Sequence, residues 1–168
     1  MLLAAPALRR AAVLAAIAAL SATAGPALAK GEAAKAVHAT NEANRQETRT
    51  ANEGRRDATH ATNEANRDAT HAANEARRDA TEAECVASRT SAAKDDAARA
   101  AAKAACKSAW ESTRGTNSAA RTATAGTNEA NRIATKAANE AARQATRAEN
   151  QANVAALKAS HASTTIGS

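Results

Sequence analysis

An eleven-residue period runs through this chain and limits what it can fold into. It is read in Asn41-Glu42-Ala43-Asn44-Arg45, Asn52-Glu53-Gly54-Arg55-Arg56, Asn63-Glu64-Ala65-Asn66-Arg67 and Asn74-Glu75-Ala76-Arg77-Arg78, and it returns at Asn117, Asn128, Asn139 and Asn150. Eleven residues make three helical turns at about 3.67 residues each, so each repeat position keeps one face of a nearly straight α-helix. Both prolines, Pro6 and Pro26, precede the repeats, and alanine, the best helix former, fills many of their positions. The expected fold class is therefore all-α.

Composition removes most alternatives. The hydrophobic class makes up 44% of the chain but aromatics only 1%, and from position 30 onward the larger apolar side chains are Val37, Val86, Trp110, Ile133, Val154, Leu157 and Ile166. Alanine methyls release far less free energy on burial than Leu or Phe, which argues against a conventional globule. Ligand sites are walled mainly by large apolar groups, which argues against an enzyme, a cofactor or a small-molecule substrate. There is no phosphate-binding glycine loop, zinc-helix motif or Ser/His/Asp arrangement. His38, His60 and His71 stand a repeat or more apart, too far to share a metal.

The N-terminus reads as a secretory leader over residues 1–29. Arg9 and Arg10 precede an apolar run from Ala11 to Leu20, and Ala27-Leu28-Ala29 supplies small residues before a cut. The run is about half of the ~20 residues that a membrane span needs, which disfavours an anchor. A secreted or periplasmic product is expected. Two of the 23 basic side chains fall in this leader and none of the 17 acidic ones, so 21 and 17 remain and the net charge drops from +6 to +4. Charges of both signs mix within the repeats and no aromatics offer base stacking, so nucleic acid is not an expected partner. Lipid contact is weak at most, because Ala and Thr insert poorly.

The period places the columns around the helix. Arg45/Arg56/Arg67/Arg78 with Arg121/Arg132/Arg143, the variable His/Arg/Lys position, the Glu position and the Asp/Gln position share one solvated arc. Glu64 with Arg67 and Asp68 with His71 are spaced to pair along it. The other arc holds three alanine columns, a Thr/Ala column, an Asn/Arg/Ala column, a Thr column and the Asn column. Cys85 lies eleven residues after Asn74 and Cys106 eleven before Asn117, so both cysteines occupy the Asn column. In an oxidising compartment they are candidates for a disulfide. The two arrays are one residue out of phase, which interrupts the chain between them near Lys94-Asp95-Asp96.

An antiparallel helical hairpin follows, with arrays at 30–92 and 99–159, a turn at 93–98 and a flexible tail at 160–168. Cys85 then meets Cys106, and Asn74, Asn63, Asn52 and Asn41 stack on Asn117, Asn128, Asn139 and Asn150. The competing topology is one continuous helix, crosslinked between two antiparallel chains; it forms the same layers. No Gly or Pro marks the turn. With so little apolar surface per arm, self-association into a bundle is expected. Trp110 is placed to cap the closed end, and Gly54, Gly115 and Gly126 to permit close approach.

Thr48, Thr59, Thr70 and Thr81, then Thr113, Thr124, Thr135 and Thr146, form a column without exception, although Thr is a poor helix former. The following position varies through Arg49, His60, His71, Glu82, Arg114, Ala125, Lys136 and Arg147. On these residues the chain resembles the alanine-rich helical type I antifreeze proteins of fish, over roughly residues 37–90 and 106–157. That resemblance implies ice binding by the eight threonines, flanked by Thr40, Thr62, Thr116 and Thr127. In that family the positions four and eight after Thr are alanines, whereas here Thr59 is followed by Asn63 and Arg67, so an ice face would use the Thr, Thr/Ala and Ala side. The alternating charges also resemble the eleven-residue-repeat late-embryogenesis-abundant proteins, which implies protection during drying. The simplest reading needs only helices in close packing: an exported spacer or coiled-coil interaction protein, with Asn layers setting register.

Overall fold

The computed structural model describes residues 26–166, with side chains over 31–163. Most of the expected leader, residues 1–25, lies outside the described residues. Helix α1 runs Pro26–Ser91 and helix α2 Asp96–Ile166. Pro26 stands at the first helical position, where its fixed φ suits the helix and its missing N–H removes no bond. Helix α2 continues past 159, where a tail was expected. Ser160 Oγ and Ser163 Oγ donate to the carbonyls of Leu157 and Ala159 at 2.8 and 3.1 Å, which accommodates both hydroxyls within the last turns.

The two helices pack against each other as an antiparallel hairpin, so the chain turns back rather than continuing as one helix. The turn needs neither Gly nor Pro, and no described residue has a positive φ. Asp95 replaces them: its Oδ1 accepts from Ala97 N at 2.9 Å, capping α2, while its own N–H reaches Ala92 O at 3.2 Å. Asp96 adds a negative charge to the first turn of α2, where the helix dipole favours it. The turn is also held by Arg99, which donates to Ala93 O at 3.2 Å and pairs with Asp96. Next to this end Cys85 and Cys106 are disulfide-bonded, with Cα atoms 5.3 Å apart.

The chain divides into two units, one comprising Arg56–Lys136 and the other the residues before 56 with those after 136. Both units are joined across the arms by the same means. Among the described residues the buried apolar ones are Ala33, Val37, Cys85 and Cys106, against ten buried polar ones, nine asparagines and Thr81. Hydrogen bonding, rather than an apolar core, is therefore what matches arm to arm. The larger apolar residues Val86, Ile133 and Val154 are exposed.

Candidate functional site

In every repeat the side chains turned toward the other arm are the Asn, the residue three later and the residue seven later. At roughly 98° per residue these lie about 65° apart in all, with the Thr column in the middle and the other two flanking it. The Thr column is therefore the centre of the seam, not an outward array.

The unit Arg56–Lys136 shows the two kinds of layer. In the first, Asn63 Nδ2 donates to Asn128 O at 3.1 Å and Asn128 Nδ2 returns the bond to Asn63 O at 3.0 Å. Their amide oxygens accept from the residues three later on the opposite arm, Asn66 Nδ2 to Asn128 Oδ1 at 3.0 Å and Asn131 Nδ2 to Asn63 Oδ1 at 2.9 Å. Four asparagines are thus linked by one reciprocal pair of bonds with a further donor on each side. In the second layer, Asn117 Nδ2 donates to Asn74 O at 3.1 Å, but the residues three later are Arg77 and Ala120. Arg77 serves both amide oxygens, with Nε to Asn117 Oδ1 at 2.9 Å and Nη2 to Asn74 Oδ1 at 2.7 Å. Asn117 is 2% exposed. A side chain that deep needs its hydrogen bonds made, since an unsatisfied buried amide costs about 1–3 kcal/mol.

The other unit repeats the scheme. Asn41 and Asn150 donate to each other's carbonyls at 3.4 and 3.3 Å, and Asn44 and Asn153 donate to the amide oxygens of Asn150 and Asn41 at 3.1 and 2.9 Å. In the Asn52/Asn139 layer, Asn139 Nδ2 reaches Asn52 O at 3.3 Å. Arg55, opposite Ala142, holds Asn139 Oδ1 at 2.8 Å and Asn52 Oδ1 at 2.5 Å.

Between these layers the threonines meet in pairs. The hydroxyl oxygens of Thr48 and Thr146, Thr59 and Thr135, Thr70 and Thr124, and Thr81 and Thr113 are 2.5, 2.5, 2.6 and 2.7 Å apart. Thr48, Thr70, Thr81, Thr124 and Thr146 also lie 2.8–3.0 Å from the carbonyl four residues back. A hydroxyl carries one proton, so where both oxygens of a pair have such a carbonyl in reach, one donates to backbone and the other to its partner. Val37 and Leu157 take the Thr position beyond Thr48 and Thr146.

The sequence reading left one column without a role. The residues three after each Asn run Asn44, Arg55, Asn66, Arg77 on α1 and Asn153, Ala142, Asn131, Ala120 on the layers they face. Asn opposes Asn and Arg opposes Ala. Pairing the two arrays at the cysteine register and comparing them layer by layer would have exposed this complementarity.

By helical phase, the two sides of the seam differ in chemistry. On one side of the unit Arg56–Lys136 a cleft is edged by Arg67, Arg78, Arg121 and Arg132, with His71 and Glu75. On the other lies a shallow depression lined by Ala58, Thr59, Thr62, Asn131, Ala134 and Thr135. Exposed Ala, Thr and Gly continue that side. Gly54, Gly115 and Gly126 do not serve close packing within the chain, because a Cβ built at any of them meets nothing within 4 Å. Thr62, Thr116 and Thr127 are exposed, Thr40 half-buried. Trp110 is half-buried beside Cys106, and His38, His60 and His71 are exposed.

The expected ion pairs are rearranged. Glu64 and Glu75 lie 3.7 Å from His60 and His71, one turn before them, instead of reaching Arg67 and Arg78, and Asp68 forms no ion pair with His71. The Glu–Arg pairs at three residues occur at Glu42–Arg45, Glu129–Arg132 and Glu140–Arg143. The hydrogen bonds of Arg49 and Arg45 hold the Glu42 carboxyl below the usual carboxylate range, and those of Arg143 and Gln144 do so for Glu140. A hydrogen bond to Glu32 raises the Lys35 ammonium above its ordinary value. Among the described residues no three His, Cys, Asp or Glu side chains are grouped to hold a metal ion, and no helix is long and apolar enough to cross a membrane.

Fold and seam together define a disulfide-closed helical hairpin of eleven-residue repeats joined by a polar zipper. No known family model, characterised protein or solved structure matches the chain.

Proposed function

We infer that this chain is a non-enzymatic, exported helical spacer and interaction protein. The observation that carries this reading is the seam itself. The Asn and Thr columns, the most regular letters of the repeat, are engaged in joining arm to arm, so their regularity is accounted for by building the hairpin. The exposed small-residue side, with Ala58, Thr62 and Ala134, is the surface through which copies would associate, because side chains this short let a neighbouring surface approach closely. Sedimentation equilibrium of the mature chain should give an oligomer that Thr62→Lys with Ala134→Lys dissociates without loss of helix. A wild-type monomer at all concentrations would overturn the reading.

Ice binding is the second reading, and the same flat Ala/Thr side favours it. The ice-facing groups would be Thr62, Thr116 and Thr127 among alanines, rather than Thr48, Thr59, Thr70, Thr81, Thr113, Thr124, Thr135 and Thr146, whose hydroxyls face across the seam. Thermal hysteresis lost in Thr62→Lys/Thr127→Lys, with circular dichroism unchanged, would support it. No effect of the folded wild type on ice growth would end it. The protectant reading expects a hydrated chain that is largely disordered, and a cooperative thermal melt of the hydrated protein would count against it.

A further inference from the structure

The arginine-edged cleft of the unit Arg56–Lys136 sits where the repeat departs from its own pattern. Outside the cleft, Arg45 and Arg143 of this column each find a glutamate three residues back, and Arg132 at the cleft's edge does so too. Before Arg121 that position is Ser118. Before Arg67 and Arg78 the glutamates are present, but they lean toward His60 and His71. Among the described residues Arg67, Arg78 and Arg121 consequently form no ion pair. A second departure opens the space between them: the variable position that holds Arg114, Lys136 and Arg147 in the neighbouring repeats of α2 is Ala125 here, and it lines the cleft.

The result is a cleft of about 560 Å³ with four guanidinium groups on its edges and a floor of uncharged seam residues such as Thr70 and Thr124. Glu75 is the one carboxylate lining it. Volumes of this order accommodate small ligands. Guanidinium groups bind phosphate and sulfate oxygens in bidentate geometry, and several of one sign around a cleft repel one another until an anion enters. The arginines stand one repeat apart on each arm, roughly 16 Å along the helix, so a ligand engaging both ends carries more than one anionic group.

We propose that this cleft is a binding site for a small multivalent oxyanion bearing two or more phosphate or sulfate groups. It lies on the opposite side of the seam from the small-residue surface and does not depend on that surface's role.

Titration calorimetry of the folded mature chain at low ionic strength tests it, with tripolyphosphate and sucrose octasulfate as probes. The expected result is one-to-one binding of at least one probe, and which probe binds tells phosphate from sulfate as the source. Arg67→Gln/Arg121→Gln should weaken that binding by about tenfold or more. Ser118→Glu, which leaves every arginine in place and restores the missing glutamate, should weaken it in the same direction. Arg45→Gln/Arg143→Gln removes the same charge outside the cleft and should leave affinity unchanged. Each variant is checked for helix content. Binding of neither probe, or equal loss in the cleft and control variants, would overturn the proposal.

Discussion

At the scale of single residues, the complementarity of Asn with Asn and Arg with Ala is what keeps a polar seam from being a liability. Asn52 and Asn139 are each 5% exposed, and their amide oxygens share the donors of one side chain, Arg55. Removing it in Arg55→Ala leaves both oxygens without that donor and should cost about 1–3 kcal/mol in a urea or thermal melt. Because Ala142 occupies the equivalent place on the other arm, the swap Arg55→Ala/Ala142→Arg supplies a guanidinium from the opposite side. The double variant should recover part of the loss, and a non-additive cycle measures how much. Additive losses would show that the layer does not work as a unit.

At the scale of the helices, two devices close the hairpin. One is the cap of α2 by Asp95, which lets the chain reverse over residues 92–95 with no left-handed residue. The other is the Cys85–Cys106 bridge, which closes a loop with a sequence separation of 21. By the loop-entropy account, a closure of that length contributes about 3 kcal/mol through the unfolded state. Cys85→Ala/Cys106→Ala should therefore lower the melting temperature while leaving the helix content at low temperature unchanged. A variant that loses its helices outright would mean that the seam does not hold without the staple.

At the scale of the whole molecule, the alternation of layers specifies one register. A slip by one repeat would set Arg77 opposite Asn131, where the donors outnumber the two amide oxygens. A slip the other way would set Asn66 opposite Ala120, leaving an amide oxygen without its donor. With both cysteines replaced, spin labels at the exposed positions Ala58 and Ala134 should report the same single distance as in the wild type. A slipped population would displace one label by roughly 16 Å along the helix.

The surface charges set a pH dependence whose sign follows from the shifts. Glu42 and Glu140 are held below their ordinary values by arginine hydrogen bonds, so their contribution is present above the ordinary carboxylate range and is lost as pH falls through their lowered values. Lys35 is raised by Glu32, so its contribution is full below its ordinary value and is lost as pH rises through the raised one. All three are at the surface, so the effect is small and salt-sensitive. The melting temperature should fall modestly in acid, and added salt should flatten the profile.

Features that depend on local geometry are legible in the order of the residues. Alanine, the absence of proline from the repeats and a period of eleven specify long helices, and the shared column of Cys85, Cys106 and the asparagines specifies which residues can meet. The tertiary structure decided the direction in which each helix looks at its partner. That direction falls on the Thr column, about 33° from the asparagines, a difference that column order alone does not resolve. It turns eight threonines toward each other and brings Arg55 and Arg77 across to the opposite arm. It also leaves Arg67, Arg78 and Arg121 around an open cleft. The physical reason is that a column's azimuth follows from its own helix, whereas a hydrogen-bond partner is chosen by the distance between two helices.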